Sequence, residues 1–473
     1  MNGKLQSNKP GDLNPSWINA NVADGYSVAA VGDIIITQPI YQTLRRSDDG
    51  LLDILEKADL VVGNFEGSAF DLRHFDGWPE AESGFAWLLS PPEVAADLRR
   101  CGFDAIARAN NHATDWGVRG MRMTDELLAD AGVAIAGTGS SLAAARAPAY
   151  VYGPEAVASL VSLTTTFERN APAVDALGQI SARPGASTLG TTPVVMVSEA
   201  QLEAIRQIRD AQSAESRPQI LIDFDARAEF VTLFGTHYKA WPEGVAQREV
   251  QVHYKMDEQD LASILLNVRQ AKQTSDFAVV ASHTHEPNNW TLTPPNFLPD
   301  LAHRCIDNGA DMVCTHGPHQ LRGIEIYRGK PIFYSLGNFC FMDNAQPVVT
   351  REEWERRVWR YLPDRPNLDP DRMTPAEFLE WKRAAILFGE AVWFESVIAV
   401  SNFDADGNVR SITLYPIELR YEGRDALRGI PRRIGGPDAV RIMSRLRDLS
   451  RPFGTEIGID MGTGVGTICV SPD

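Results

Sequence analysis

The sequence predicts an α/β fold in which many of the strands run parallel. Apolar strands alternate with amphipathic helices through residues 27–139, and the same alternation returns after residue 256. Three of the early strands end in polar residues, with the sequences Gly-Asp, Gly-Asn-Phe-Glu and Asn-Asn-His. Ligands in α/β proteins bind at the carboxyl ends of the strands. We therefore expect a functional site at these strand ends.

The N-terminal part predicts four strands and three helices. The strand segments are apolar and rich in β-branched residues, and two of the helices end at a glycine. The predicted strands are 27–36, 58–68, 103–117 and 133–139, and the predicted helices are 40–57, 91–102 and 118–132.

The C-terminal part repeats this pattern and adds two hairpins. Arg328-Gly329-Lys330 and Asp406-Gly407 are the predicted turns of those hairpins. The predicted helices are 256–275, 296–309 and 437–449, the strands are 276–287, 310–323 and 455–460, and the hairpins are 324–341 and 394–419.

Three segments interrupt this order. Residues 1–26 form a polar N-terminal extension, and the rest of the chain is predicted to be one domain with two insertions. The first insertion, about 141–270, contains strands at 160–167 and 230–238, a helix at 198–213 and a loop at 169–192. The second, about 345–390, is charged and Trp-bearing and predicts helices that flank or cover the site.

Composition excludes several classes of protein. The chain has 473 residues, is 44% hydrophobic and carries a net charge of -17, so nucleic acid and anionic membranes are poor partners. Its five cysteines form no CxxC pair, which excludes a cysteine zinc site of that type. The N-terminal residues have no apolar signal-peptide core, and no long apolar run predicts a transmembrane helix. We expect a cytoplasmic protein.

Histidines, carboxylates and an amide collect at the predicted strand ends. Alone, each of these residues is explained as well by a turn, a helix cap or a core position, but together they indicate a mixed nitrogen and oxygen ligand set for one or two Mn, Fe, Zn or Co ions. The residues in question are Asp33, Glu66, Asn111, His112, His283, His285, His316 and His319. The other histidines, His74, His237, His253 and His303, lack such neighbours and are predicted to be structural.

Five motifs, in this order, resemble the CapA family, which is named for poly-γ-glutamate capsule synthesis. They are VGDIII, VGNFEGS, ANNHATDWG, HTHE and THGPHQLRGIEIYRGKPIFYSLGNF. That family is similar in fold to the calcineurin-like metallophosphatases. The resemblance therefore implies a four-layer α/β/β/α sandwich with metals at the strand ends.

The resemblance also implies a role for each motif residue. Glu66 takes the place of the bridging aspartate of the phosphatases, and His112 faces the substrate as an acid or charge stabiliser. The implied metal ligands are Asp33, Glu66, Asn111, His283, His316 and His319.

Some residues depart from the phosphatase pattern. Ile35 stands where phosphatases carry a histidine ligand, which leaves one metal site short of a ligand. His285 and Glu286 are additional acid/base groups, so the candidate catalytic residues are His112, His285 and Glu286. Arg108, Arg119 and Arg322 lie near the motifs, and we interpret them as ordinary surface residues rather than as an anion-binding patch.

Three functions fit these residues. The first is a metal-dependent hydrolase that attacks a peptide-like amide, such as a γ-glutamyl amide, or a phosphoester through metal-activated water. The second is a metal-dependent epimerase that removes and returns a Cα proton of a peptide or an amino acid. The third is a non-catalytic protein that binds a polymer or assists capsule assembly. The first two predict a peptide-like or small-molecule partner.

Overall fold

The computed structural model describes residues 20–80, 83, 86–213, 229–245, 249–342, 346, 348–356, 369–385, 388–422 and 426–470. Most of the predicted N-terminal extension lies outside these residues. The helices are α1 (Tyr41–Ser47), α2 (Leu51–Glu56), α3 (Glu93–Arg100), α4 (Gly117–Asp130), α5 (Leu142–Arg146), α6 (Glu199–Asp210), α7 (Glu258–Gln273), α8 (Phe297–Asp307), α9 (Arg351–Trp354), α10 (Pro375–Ala385) and α11 (Gly436–Ser450).

The strands are numbered in chain order. They are β1 (Ser27–Ile35), β2 (Leu60–Phe65), β3 (Ser68–Ala69), β4 (Leu89–Ser90), β5 (Ala105–Ala107), β6 (Ala134–Ala136), β7 (Thr138–Gly139), β8 (Ala149–Tyr152), β9 (Val157–Thr164), β10 (Gly185–Ala186), β11 (Thr191–Val197), β12 (Val231–Leu233), β13 (Thr236–Ala240), β14 (Gln251–Met256), β15 (Phe277–His283), β16 (Met312–His316), β17 (Ile324–Tyr327), β18 (Lys330–Phe333), β19 (Asn338–Phe341), β20 (Glu395–Phe403), β21 (Val409–Glu418), β22 (Arg432–Arg433), β23 (Gly458–Ile459) and β24 (Gly466–Cys469).

The first large sheet has β1 at its centre. Its strand order is β23-β24-β21-β20-β1-β2-β5-β6, and β19 pairs with the C-terminal part of β1. Strands β2 and β19 run parallel to β1, whereas β20 runs antiparallel to it. All residues of β1 are buried, which is typical of a strand covered on both faces.

The second large sheet has the order β17-β18-β16-β15-β9-β8, with β15 parallel to both β9 and β16. Its residues Leu160 and Val279 pack in one hydrophobic cluster with Val28 and Ala30 of the first sheet. The two sheets therefore lie face to face.

Helices cover the outer face of each sheet. Ala29 and Val31 of β1 point away from the second sheet and pack in a cluster that includes residues of α1, α2 and α3. Val280 of β15 packs with residues of α7 and α8 in the same way. This alternation of facing residues along each strand produces the order α/β/β/α, and the predicted fold class is confirmed.

A smaller side sheet, β12-β13-β11-β14, lies within the first predicted insertion and packs against α6. The prediction of one strand over residues 230–238 is wrong, because the chain turns at Phe234 and Gly235, whose φ angles are 48° and 80°. The predicted helix 40–57 is likewise two helices, separated by Asp48 and Gly50 with φ angles of 47° and 78°. Residues in the left-handed backbone conformation end helices, and the spacing of apolar residues does not show where they occur.

Helices α9 and α10 belong to the second predicted insertion. Trp354 of α9 packs against Phe378 of α10, with ring centroids 4.3 Å apart. The remainder of the predicted helix after Glu355 lies mostly outside the described residues. Within the described part of the chain, no helix is long and apolar enough to cross a membrane. The division of the chain into an extension, one domain and two insertions remains a prediction.

Candidate metal centre

Asp33 lies near the carboxyl end of β1, between two asparagines on the neighbouring strands. Asn64 of β2 and Asn338 of β19 are both in register with Asp33. Asn64 donates a hydrogen bond to Asp33 Oδ1 at 2.8 Å, and the backbone amide of Gly317 donates to Oδ2 at 3.0 Å. Burial opposes ionisation of Asp33, but nearby His319, His316 and His283 together hold its pKa below its usual value. The carboxylate is thus fixed and charged.

Gly32 permits the close approach of β1 to the turn before β19. A Cβ atom on Gly32 would lie 1.9 Å from the carbonyl oxygen of Gly337, which is a severe clash. The amide of Asp33 donates to that same oxygen at 3.0 Å. Glycine at position 32 therefore lets the two strands bring Asp33 and Asn338 together.

Glu66 is the centre of the cluster. It is 1% exposed, and neither of its carboxylate oxygens has a hydrogen-bond partner. Its Oε1 lies 3.6 Å from His283 Nε2 and 3.8 Å from His285 Nε2, whereas its Oε2 lies 3.9 Å from His319 Nδ1. Two compact groups of donor atoms result, one with Glu66, His283 and His285 and the other with Asp33, Glu66 and His319. Glu66 belongs to both groups.

His283 ends β15 and His285 follows it on the same side of the chain, as their spacing of two residues predicts. Their Nε2 atoms lie 2.9 Å apart. Asn64 contacts His283 Nδ1 at 3.2 Å, and Asn289 contacts His285 Nδ1 at 2.6 Å through its Oδ1. Burial, and then the charge of His285, lower the pKa of His283 well below its ordinary value. Neutral imidazole is the form that binds metals.

His316 and His319 both lie at the end of β16 but differ in their surroundings. His316 Nε2 contacts the carbonyl oxygen of Val31 at 3.2 Å, and its buried Nδ1 has no hydrogen-bond partner. His319 has a φ of 58°, and its Nδ1 contacts Asn338 Oδ1 at 3.0 Å. Burial lowers the pKa of His319, but the charges of Glu66 and Asp33 outweigh burial and raise it to about 9. His316 is not a member of either compact group.

His112 is oriented by a carboxylate that the sequence reasoning missed. Its Nδ1 contacts Asp115 Oδ2 at 2.7 Å, and Asp115 is fully buried and also accepts a hydrogen bond from the amide of Leu88. His112 Nε2 then faces Glu66 Oε1 at 3.9 Å. The neighbouring Asn111 lies at the same edge, with its Oδ1 3.4 Å from His285 Nε2.

A cavity of about 300 Å³ opens over the cluster. Among the described residues that line it are Ile35, Asn111, His112, His285 and His319. Glu286 is not among them, because its carboxylate accepts hydrogen bonds from Thr165 and Thr166 at 2.9 and 3.0 Å. The structure thus brings every predicted metal ligand and two of the three candidate catalytic residues to one edge of the sandwich. The third candidate, Glu286, is not part of the described cavity lining.

The interpretation of the three arginines as surface residues is wrong for two of them. Arg108 is fully buried and donates to the carbonyl oxygens of Phe65 and Gly67, on either side of Glu66. Arg322 is also fully buried and donates to the backbone of the loop that follows His285. Only Arg119 is exposed, where it pairs with Asp76. Arg108 and Arg322 therefore hold the backbone that carries the site.

The two asparagines that flank Asp33 share a short sequence pattern that could have identified them. Asn64 and Asn338 each stand within a Gly-Asn-Phe sequence at the end or the start of a short apolar strand. Asp115 follows His112 by three residues in the ANNHATDWG motif, a spacing that suits a side-chain contact within one turn. Asn289 has no such signal, because it lies in an irregular loop.

The fold and the site together define a four-layer α/β/β/α protein with a carboxylate and imidazole cluster at its strand ends. The profile of the family described as "Bacterial capsule synthesis protein PGA_cap" matches residues 27–343, and the chain belongs to that family.

Two related proteins align with two thirds or more of this chain. An uncharacterized protein of Sinorhizobium fredii, y4sH, is 40% identical over 450 residues, which are 94% of each chain. The PGA biosynthesis protein CapA of Bacillus subtilis is 25% identical over 323 residues, covering 67% of this chain and 64% of its own length. Among solved structures, a phosphatase from Mycoplasma pneumoniae is similar at a TM-score of 0.36 and 10% identity, over 85% of this chain and 97% of its own.

Proposed function

We propose that this protein is a metal-dependent hydrolase that acts on a peptide-like amide. The observation that carries the proposal is the pair of Glu66 oxygens, which are buried, accept no hydrogen bond and are shared by two groups of donor atoms. A buried carboxylate that accepts no hydrogen bond costs several kcal/mol, roughly, unless cations compensate its charge. Two metal ions held on either side of Glu66 would supply that compensation, and the surrounding imidazole and carboxylate donors suit Mn, Fe, Zn or Co.

The remaining ligands follow from the two groups. One ion would be held by Asp33, Glu66 and His319, and the other by Glu66, His283 and His285. His316 and Asn111 stand at the same edge to complete the sets. His285 becomes a ligand in this proposal instead of the catalytic group that the sequence suggested. A bound ion of this kind lowers the pKa of water towards neutrality and polarises a carbonyl group.

His112 is the proposed proton donor to the leaving group. Asp115 accepts from its Nδ1, and Nε2 faces Glu66. The buried aspartate fixes the orientation of the ring and stabilises its imidazolium form, in which Nε2 also carries a proton and can donate it. The amide nitrogen of the substrate would take this proton as its bond to the carbonyl carbon breaks.

Two observations support an amide rather than a phosphoester. Ile35 lines the cavity at the position where phosphatases have a histidine ligand. Two relatives are the PGA biosynthesis protein CapA of Bacillus subtilis and a probable polyglutamine synthesis accessory protein of Mycobacterium tuberculosis, and both names denote amide-linked polymers. A γ-glutamyl amide is accordingly one substrate to test, beside other peptide amides and p-nitrophenyl phosphate. The cytoplasmic location stays a prediction from the sequence.

The test compares Glu66→Gln with Glu229→Gln, a matched change beside the side sheet. Metal content is measured by elemental analysis, and hydrolysis is measured on the amide and phosphoester panel. We expect one or two ions per chain and amide hydrolysis in the wild type and in Glu229→Gln, with both lost in Glu66→Gln. Wild-type protein without metal after reconstitution, or activity that survives in Glu66→Gln, would contradict the proposal and favour a non-catalytic binding role.

A second candidate is Cα epimerisation, which one observation favours. His112 and His285 both line the same cavity, so two imidazoles face a bound substrate. Two such groups are what removal and return of a proton require. Incubation of peptides in heavy water separates the candidates, since deuterium at Cα without bond cleavage indicates epimerisation and cleavage products indicate hydrolysis.

A further inference from the structure

The outer wall of the cavity is aromatic. Trp290, Phe341 and Phe388 line it beside the histidines. The ring of Phe388 lies 5.2 Å from that of Phe341 and 5.4 Å from that of His319, with interplanar angles of 87° and 90°. Aromatic surface of this kind binds apolar groups, and each ring offers a large contact area at a small cost in conformational entropy.

The backbone of Phe388 is strained in order to place this ring. Its φ is 60°, a region that bulky residues rarely adopt. Such conformations cost of order 1–3 kcal/mol, and they are found mostly at ligand-binding and active sites. Trp393 packs on Phe388 with the centroids 5.0 Å apart and fixes the ring in this position. The strained residue and the metal-ligating His319 therefore share one surface.

Trp290 is held at the mouth of the cavity although it is 56% exposed. Asn288 accepts a hydrogen bond from its amide, and the buried Arg322 donates to the carbonyl oxygens of Glu286, Asn288 and Thr291 around it. An exposed tryptophan on a loop anchored in this way is preorganised for binding.

Apart from its histidines and the metal ions of the proposed function, the described lining gives little positive charge to bind an acidic side chain. Lys382 is its only Lys or Arg residue, and its Nζ lies 2.8 Å from Oε1 of the buried Glu353. Positioned cations are the usual means of recognising carboxylates. The lining described here instead offers Ile35, Leu88 and the aromatic wall.

We infer that the cavity selects a substrate whose side chain beside the scissile amide is apolar and aromatic, and that it discriminates against a side chain with a free carboxylate, such as that of an α-linked glutamate. This inference rests on the proposed function and narrows its substrate class. It makes Phe388 and Trp290 specificity-determining residues.

Binding of two small amides tests the inference without requiring turnover. N-acetyl-phenylalaninamide and N-acetyl-glutamate α-amide share a backbone and differ in the side chain, and calorimetry measures the affinity of the full-length, metal-loaded protein for each. Phe388→Gly removes the ring while suiting a positive φ, so the fold is retained. Trp290→Ala is a second variant at an exposed position, and Trp78→Ala, at a residue that is 67% exposed and outside the lining, is the control.

We expect the wild type and Trp78→Ala to bind the phenylalanine amide at least about tenfold more tightly than the glutamate amide. Phe388→Gly and Trp290→Ala should each lose about tenfold in affinity for the phenylalanine amide and keep their affinity for the glutamate amide. The inference is overturned by equal or tighter binding of the glutamate amide, by unchanged affinity in both ring variants, or by no binding of the phenylalanine amide. Metal content and hydrolysis are measured separately, so a protein that holds metal and cleaves acidic amides would contradict this inference and leave the proposed function intact.

Discussion

The central sandwich and the side sheet both carry histidines on their strands and a glutamate beside them, yet among the described residues only the sandwich builds a group of potential metal ligands. His283 at the end of β15 is 1% exposed and contacts Asn64 and His285. His253 in the middle of β14 is half-buried against Trp241, with ring centroids 5.0 Å apart. A polar residue therefore acquires chemical neighbours where buried parallel strands end together, and not merely because it lies on a strand.

The largest difference is expected between His283→Ala and His253→Ala. Loss of His283 removes a donor from one of the two groups around Glu66, so metal affinity and turnover should fall by at least about 100-fold, given that loss of outer-shell partners alone costs 10–100-fold. His253→Ala should leave both unchanged. Elemental analysis and the hydrolysis panel measure the two effects, and equal loss in the two variants would break the comparison.

Asn64→Ala should have the next largest effect. Asn64 donates to Asp33 and contacts His283, so its removal loosens two proposed ligands without removing either. We expect metal affinity to fall by about 10–100-fold, measured by competition with a chelator. Asn267→Ala, on α7, is the control because its side chain donates a hydrogen bond to the carbonyl oxygen of Ser263 on the same helix and lies outside the proposed site. Unchanged affinity in Asn64→Ala would show that the asparagine merely fills space.

Two matched leucine substitutions compare the packing of the two regions. Leu160 lies between the two large sheets and Leu202 lies in the small cluster under the side sheet. Leu160→Ala should lower the free energy of unfolding by about 4 kcal/mol and Leu202→Ala by about 2 kcal/mol, because a small peripheral cluster relaxes around the lost methyl groups more easily than a core between sheets. Urea denaturation measures both, and the reverse order would contradict this view of the side sheet.

The smallest effect concerns Glu229 beside the side sheet. Lys239 and Lys255 bind its carboxylate at 2.7 and 2.6 Å and lower its pKa from 4.5 to about 2. Because the pKa is lowered on folding, the stabilisation is present above pH 4.5 and is lost as the pH falls from 4.5 to 2. Solvent screens this exposed pair, so Glu229→Gln should cost under about 1 kcal/mol at pH 7 and nothing at pH 2. Thermal unfolding at the two pH values checks this prediction.

The sequence predicted the sandwich well because its signals are local. Buried strands are continuous apolar runs, and the polar residues at the ends of β1, β2 and β15 interrupt those runs at visible points. Left-handed turns such as Phe234-Gly235 and Asp48 were missed, because a single φ angle leaves no trace in the apolar pattern. Within the site, the ligand types were readable from the residues, whereas the contact of Asp115 with His112 and the burial of Arg108 depend on tertiary packing.

The position of β1 between strands from distant parts of the chain has a consequence for biosynthesis. Strand β1 leaves the ribosome well before its partners β19 and β20, which end at Phe341 and Phe403. At roughly 5–20 residues per second, β1 waits on the order of 20–70 s with one edge unpaired during translation. An apolar strand with an open edge is a template for aggregation. Nascent chains that stall before Phe403 should therefore be strong clients of ribosome-associated chaperones, and Asp33 gains its second asparagine neighbour only after Asn338 has been synthesised.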